Sequence, residues 1–228
     1  MFVPYQVDVP LERLPIANWV LMALTVAISV VAFPAMQDEH APISLWMLYG
    51  PGEWSSDAGL LGSMFTHSNW MHLIGNMMFM FVFGNAVNAK LGHPLFVASY
   101  VFLGVVSSYL HAMISDGPGL GASGAISGLM GMFIVFFPRN DVSVFYWWYY
   151  RMGSFEISSW IIVGLYFAKD VAYQILESTT GFETGVGLMA HIGGTVAGAA
   201  LAMGLLLARR VVPTTAETTM LEIIRGEG

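Results

Sequence analysis

The chain contains no cysteine, which excludes disulfides, thiolate nucleophiles, cysteine-ligated zinc and iron–sulfur clusters together. Any nucleophile must therefore use oxygen or nitrogen. Charge is also scarce: Asp, Glu, Lys and Arg make up 10% of the 228 residues, against roughly 25% in an ordinary soluble domain. With eight Lys and Arg residues, a formal charge of −7 and no basic cluster, nucleic acid is not expected as a partner. The first fifteen residues carry Asp8, Glu12 and a single basic residue, Arg13, so they lack the basic region of a signal or transit peptide and read as a short mature N-terminus.

What is abundant is apolar: 56% of the residues are hydrophobic. Such a composition points to a polytopic membrane protein. Uncharged runs long enough to cross a hydrocarbon core are expected at 14–33, 70–89, 94–114 and 185–208. A fourth span in chain order falls within 119–137, where the breaker run Asp116, Gly117, Pro118, Gly119 delays the helix start and lowers Ser123 beneath the membrane surface. Residues 157–176 form the fifth and least regular span, since Lys169 and Asp170 interrupt it. The long segment from Asp38 to Asn69 has acidic residues, no Lys or Arg, and Trp46, Tyr49, Trp54 and Phe65, the composition of an interfacial loop lying on the bundle. The aromatic run from Phe145 to Tyr150 reads as an interfacial belt.

If the spans alternate, Arg13, Lys90, Arg139, Arg151, Arg209, Arg210 and Arg225 share one side, and Lys169 alone does not. The excess of positive charge marks the cytoplasmic face, so both termini lie inside. The expected fold is an all-α integral membrane protein: a six-transmembrane-helix bundle over 14–210, with a short cytoplasmic N-terminus over 1–13 and a cytoplasmic tail over 211–228. A bacterial or archaeal cytoplasmic membrane is the expected location.

Polar side chains inside spans are costly and so point to function. Ser123 and Ser127 fall in the fourth span, His191 in the sixth, His72 and Asn76 in the second, and His111 in the third. Ser123 sits at a small-residue helix start, among N–H groups with no intrahelical partner and at the positive end of the dipole, which suits an oxyanion. An N-cap serine on a packing face is the plainer alternative. Gly187, His191, Gly194 and Gly198 share one helical face, and so do Gly124, Gly128 and Gly131. Two such faces permit close backbone approach and would bring His191 towards Ser123. His72 and Asn76, at i and i+4, can both donate hydrogen bonds. They fit either an oxyanion hole or polar contacts between helices. With no His-Glu-x-x-His motif and no carboxylate in the four clearest spans, neither a metal nor another cofactor is expected.

Taken together, these motifs resemble the rhomboid family of intramembrane serine proteases. Gly121-Ala122-Ser123-Gly124 is similar to the family's Gly-x-Ser-Gly motif. Ala190-His191-Ile192-Gly193-Gly194 with Gly198 resembles its Ala-His-x-x-Gly-x-x-x-Gly motif, and His72 with Asn76 resembles its His-x-x-x-Asn. His67 falls where the family commonly has a histidine, and Gly84 and Gly92 match glycines near the inner end of the second span.

The resemblance implies a serine endopeptidase that cleaves peptide bonds in or near transmembrane segments of membrane proteins within the lipid bilayer. Ser123 would be the nucleophile and His191 the general base and acid, forming a dyad without a third member. Asn76, His72 and the Ser123 N–H would form the oxyanion hole. Ser127 stands where the family often has an aromatic residue stacked on the base histidine, so another group must support His191. Asn88 replaces a common Glu, and Lys169 and Asp170 lie in the span that the resemblance makes a lateral gate. Two other classes remain: a non-catalytic relative that binds transmembrane segments, and a small transporter or channel using the same buried polar groups.

Overall fold

The computed structural model describes residues 2–9, 11–37, 47–52, 55–115, 117–182, 184–214 and 217–227. Asp38, Glu39, His40, Trp46, Glu53, Trp54 and Asp116, which belong to the expected interfacial loop and breaker run, lie outside them. Helix α1 runs over Ile16–Gln37, α2 over Asp57–Gly62, α3 over Trp70–Phe79, α4 over Asn85–Leu91, α5 over His93–Ile114, α6 over Ser123–Phe136, α7 over Ser159–Thr180, α8 over Leu188–Leu207 and α9 over Met220–Arg225. A π-helical turn, Met80–Gly84, joins α3 to α4 into one continuous rod.

Four helical segments are long and apolar enough to cross a membrane: Ile16–Ala35, Trp70–Leu91, His93–Ile114 and Leu188–Leu207. Helix α6 falls short for a simple reason. Its 14 residues reach about 21 Å at 1.5 Å per residue, against a hydrocarbon core of about 30 Å. Eleven of those residues are buried, so α6 is the central post of the bundle and the other helices screen it. Helix α7 is long enough at 22 residues, but Lys169, Asp170, Gln174 and Glu177 lower its hydropathy.

The glycine faces foreseen in the sequence meet in the fold. A Cβ added at Gly198 would collide with the Gly128 carbonyl, one at Gly194 with the Gly124 carbonyl, and one at Gly131 with the Thr195 carbonyl. Helices α6 and α8 therefore touch backbone to backbone. Where side chains separate the helices, aromatic rings fill the space: Phe83 meets Phe133 edge-on with centroids 5.0 Å apart, and Phe79 meets Tyr166 at the same distance.

The all-α expectation needs one correction. Strands β1 (Phe2–Val7), β2 (Asp141–Trp148) and β3 (Arg151–Ser158) form an antiparallel sheet in the order β1-β2-β3. The aromatic run is thus half of a hairpin whose tip is Tyr149-Tyr150. Its start, Asp-Val-Ser-Val, alternates: Val142 and Val144 are buried while their neighbours are not, which is a strand's period of two. Six consecutive aromatic residues masked that alternation.

The tail is also structured. Thr219 and Glu222 form a capping box at the start of α9, whose Met220 and Leu221 pack on the core.

Candidate functional site

The start of α6 is held from three sides. In the backbone of the breaker run, Gly119 exchanges hydrogen bonds with Tyr49, at 2.8 and 3.1 Å, so the loop preceding α2 is stitched to it. Gly121, at φ +115, makes a turn that L side chains rarely adopt, and its N–H donates to the Ser63 carbonyl at 2.8 Å. A Cβ at Gly121 would also press on His72 Nε2, 2.8 Å away. Only glycine meets both conditions.

His67 supplies the third support, and its ring is fully buried. Its Nδ1 lies 2.9 Å from Ser29 Oγ, and Ser29 in turn donates to the Phe65 carbonyl at 2.9 Å. Because that donation uses the serine's only hydrogen, Nδ1–H must donate to Ser29, leaving Nε2 to accept from the Ala122 N–H at 3.5 Å. The network needs neutral His67. Burial, together with the neighbouring His72, pushes its pKa down to about 3. His67 is therefore a structural residue that ties α1 to the residue before Ser123.

Ser123 is half-buried in the first turn of α6, where the first intrahelical bond runs from the Ile126 N–H to the Ala122 carbonyl. It opens on a cavity of about 760 Å3 that is also lined by His72, Ser107 and His111. The N–H groups of Ser123, Gly124 and Ala125 precede the first helical bond, so they are available to an anion.

His72 and Asn76 share a face of α3 but differ in what they offer. His72 lines the cavity, with Nδ1 3.3 Å from Ser68 Oγ, whereas the Asn76 amide nitrogen turns back to donate to the His72 carbonyl at 2.9 Å. One Asn76 amide hydrogen is thus committed within its own helix.

His191 lies in the first turn of α8, and its neighbour Ala190 approaches Gly124, the residue after Ser123: a Cβ on Gly124 would lie 3.5 Å from the Ala190 Cβ. Among the described residues, Ser123 and His191 share no hydrogen bond, a looseness common in sites without substrate. The structure also supplies a contact that the expected dyad did not include. Asp170 of α7 places Oδ2 3.3 Å from His191 Nδ1, at the outer edge of hydrogen-bond reach. Its other oxygen lies 3.1 Å from Lys169 Nζ, an ion pair rather than a well-formed hydrogen bond.

A second polar cluster at the opposite end of the bundle escaped the sequence reading. Asn18 of α1 donates through Nδ2 to the Met80 carbonyl and to Asn85 Oδ1, both at 2.9 Å, while its N–H donates to Asn88 Oδ1 at 3.1 Å. In the sequence Asn88 stands out only as the replacement of a common Glu, and Asn18 is a lone asparagine at the start of an apolar run, with nothing local to link the two. Among the described residues, no group of three or more His, Cys, Asp or Glu side chains could hold a metal.

A family model, the rhomboid domain, matches residues 52–208. The chain belongs to the rhomboid family. Among rhomboid relatives, "Putative rhomboid protease YdcA" of Bacillus subtilis (strain 168) is 30% identical over 152 residues, covering 64% of this chain and 65% of that protein. "Rhomboid protein 1, mitochondrial" of Saccharomyces cerevisiae is 32% identical over 98 residues, 40% of this chain and 28% of the yeast protein. "Presenilin-associated rhomboid-like protein, mitochondrial" of Mus musculus is 27% identical over 144 residues, 61% of this chain and 36% of the mouse protein. These matches cover well under two thirds of the mitochondrial relatives. With mitochondrial and bacterial relatives together, the rhomboid fold does not specify which membrane this chain occupies, and the bacterial or archaeal assignment has no support from them.

Proposed function

We propose that this rhomboid is an intramembrane serine endopeptidase, with α1, the α3–α4 rod, α5, α6, α7 and α8 as its six membrane helices and both termini cytoplasmic. The observation that carries the reading is the placement of Ser123 at the free N–H groups of a short central helix, on a polar cavity, beside the turn of α8 that bears His191. A peptide bond inside an apolar bundle needs both a nucleophile and water, and the cavity admits both.

In the proposed reaction Ser123 Oγ attacks the scissile carbonyl carbon as its proton passes to His191 Nε2. The oxyanion is met by the Ser123 N–H, by His72 and by Asn76, whose remaining amide hydrogen is free for that role; each donor of this kind is worth about 3 kcal/mol. His191 then gives its proton to the leaving nitrogen as the C–N bond breaks. Water, activated by the same imidazole, releases the acyl group and restores Ser123. Substrates would be single-span membrane proteins with small or helix-breaking residues at the scissile bond, because an intact helix occupies its carbonyls.

The test is cleavage of a single-span substrate in liposomes by the purified chain. Ser123→Ala and His191→Ala should each lower turnover by about 10³-fold or more while the protein still inserts. A fluorophosphonate should label Ser123 in the wild type and fail to label His191→Ala. Cleavage by Ser123→Ala at the wild-type rate would overturn the assignment. The absent Ser123–His191 hydrogen bond favours one rival, a binder of transmembrane segments; it predicts stable capture of the substrate span with no cleavage by wild type.

A further inference from the structure

We propose that Asp170 is the positioning residue for His191, so that the site works as a Ser123–His191–Asp170 triad in place of a dyad. This rests on His191 being the general base. The geometry points to it first. Asp170 Oδ2 lies 3.3 Å from Nδ1, the ring nitrogen that the proposed reaction does not use. A carboxylate accepting from Nδ1–H fixes the tautomer that leaves the Nε2 lone pair for the Ser123 proton.

Burial adds a second reason. The Asp170 side chain is 10% exposed and that of His191 15%, so an unpaired carboxylate here would be costly. Lys169 answers only part of that need. Its side chain is 49% exposed, its Nζ approaches Oδ1 and not Oδ2, and it sits 5.4 Å from the Tyr166 ring centroid. The oxygen facing the imidazole is left for His191.

The third reason is the residue at 127. Without an aromatic ring there, nothing on α6 stacks on the imidazole, and Thr195 Oγ1 bonds only the His191 main-chain carbonyl, at 2.9 Å. Asp170 is the polar side chain that orients the ring itself. During the reaction it stays ionised: the proton moves from Ser123 Oγ to Nε2 and later to the leaving nitrogen, while the carboxylate stabilises the intervening imidazolium. The other titratable groups facing the pair are His72 from α3 and His111 from α5, beside the imidazole, and Lys169 and Tyr166 from α7, beside the carboxylate.

The experiment compares wild type, Asp170→Asn and Asp170→Glu, reconstituted with a single-span substrate, across pH. Asp170→Asn should lower kcat by about 100-fold or more with KM within about threefold. The acid limb of kcat should move, which the loss of a merely structural contact would not produce. Asp170→Glu should restore part of kcat and the wild-type acid limb. An Asn variant with wild-type kcat and an unmoved acid limb would overturn the proposal.

If wild type cleaves nothing, the protease reading fails separately, and the pair is read by 15N resonances of labelled histidine. The neutral His191 ring should carry its proton on Nδ1 in wild type and Asp170→Glu and lose that preference in Asp170→Asn. The same tautomer in all three would overturn the pairing. Should the Asn variant not fold, wild type against Asp170→Glu decides. A proton resident on Nδ1 in both supports it, and one on Nε2 overturns it.

Discussion

Gly198 of α8 lies directly on the carbonyl of Gly128 in α6, so closely that a Cβ would overlap the oxygen. The obstacle is backbone, which cannot swing aside as a side chain can. Gly198→Ala should therefore force the helices apart, lowering stability by about 1–3 kcal/mol and misplacing His191 relative to Ser123. The expected result is a lower thermal midpoint in detergent together with at least tenfold slower cleavage. Gly204, on the same helix with no atom within 4 Å of its would-be Cβ, is the control. Gly204→Ala should leave both measurements unchanged or raise stability slightly.

Asn18 should be as important to stability as its burial implies. Its Nδ2 satisfies the Met80 carbonyl inside the π-helical turn, where the α-helical bonding pattern is interrupted, and it also holds Asn85. Asn18→Leu would strand both acceptors in an apolar setting. Hydrogen bonds between membrane helices average well under 2 kcal/mol, so the expected loss is about 1–2 kcal/mol. Thermal unfolding in detergent should show it, and hydrogen exchange should quicken first around 80–85.

His67 predicts an acid-sensitive fold. The ring is neutral in the folded state down to about pH 3 but takes up a proton near pH 6.5 when unfolded. Above pH 6.5 neither state is protonated and stability is unaffected. As pH falls from 6.5 towards 3 the unfolded state binds the extra proton, so stability declines by up to about 1.4 kcal/mol per pH unit. Below pH 3 both states are protonated and the loss levels off. His67→Gln cannot titrate, and its unfolding midpoint should depend less steeply on pH between 6.5 and 4 than that of wild type.

What could be read from the sequence follows the range of the interaction involved. The apolar runs and the glycine spacing on α6 and α8 are local patterns, set by helix period and span length, and the helices formed and met where those patterns placed them. The length of α6 was harder, because the breaker run marks a delay without saying how many residues it takes. Contacts across the bundle left weaker traces. Asp170 looked like an awkward charge in a span, since nothing near it in sequence identifies a histidine 21 positions later as its partner. Asn18 and the Met80 carbonyl are 62 residues apart. The strand pattern of β2 was hidden by its own aromatic residues, and β1 acquires its conformation only by pairing with it, Val3 against Phe145.

The same range governs the tail, whose attachment is testable. Lys90, at the end of the α3–α4 rod, forms an ion pair with Glu217, and their side chains are 3% and 5% exposed. Glu217 also accepts from the Thr214 N–H at 2.8 Å, which orients its carboxylate. A buried pair is not necessarily stabilising relative to apolar residues, but removing one partner leaves the other charge without compensation. Lys90→Met should therefore destabilise the protein by about 3 kcal/mol and release the tail, seen as new protease cleavage around 212–219. Lys90→Met combined with Glu217→Leu should recover much of that loss. If the single variant is as stable and as protease-resistant as wild type, the pair does not anchor the tail. In the expected case α9 and its Met220 and Leu221 contacts depend on a buried ion pair at the end of the rod.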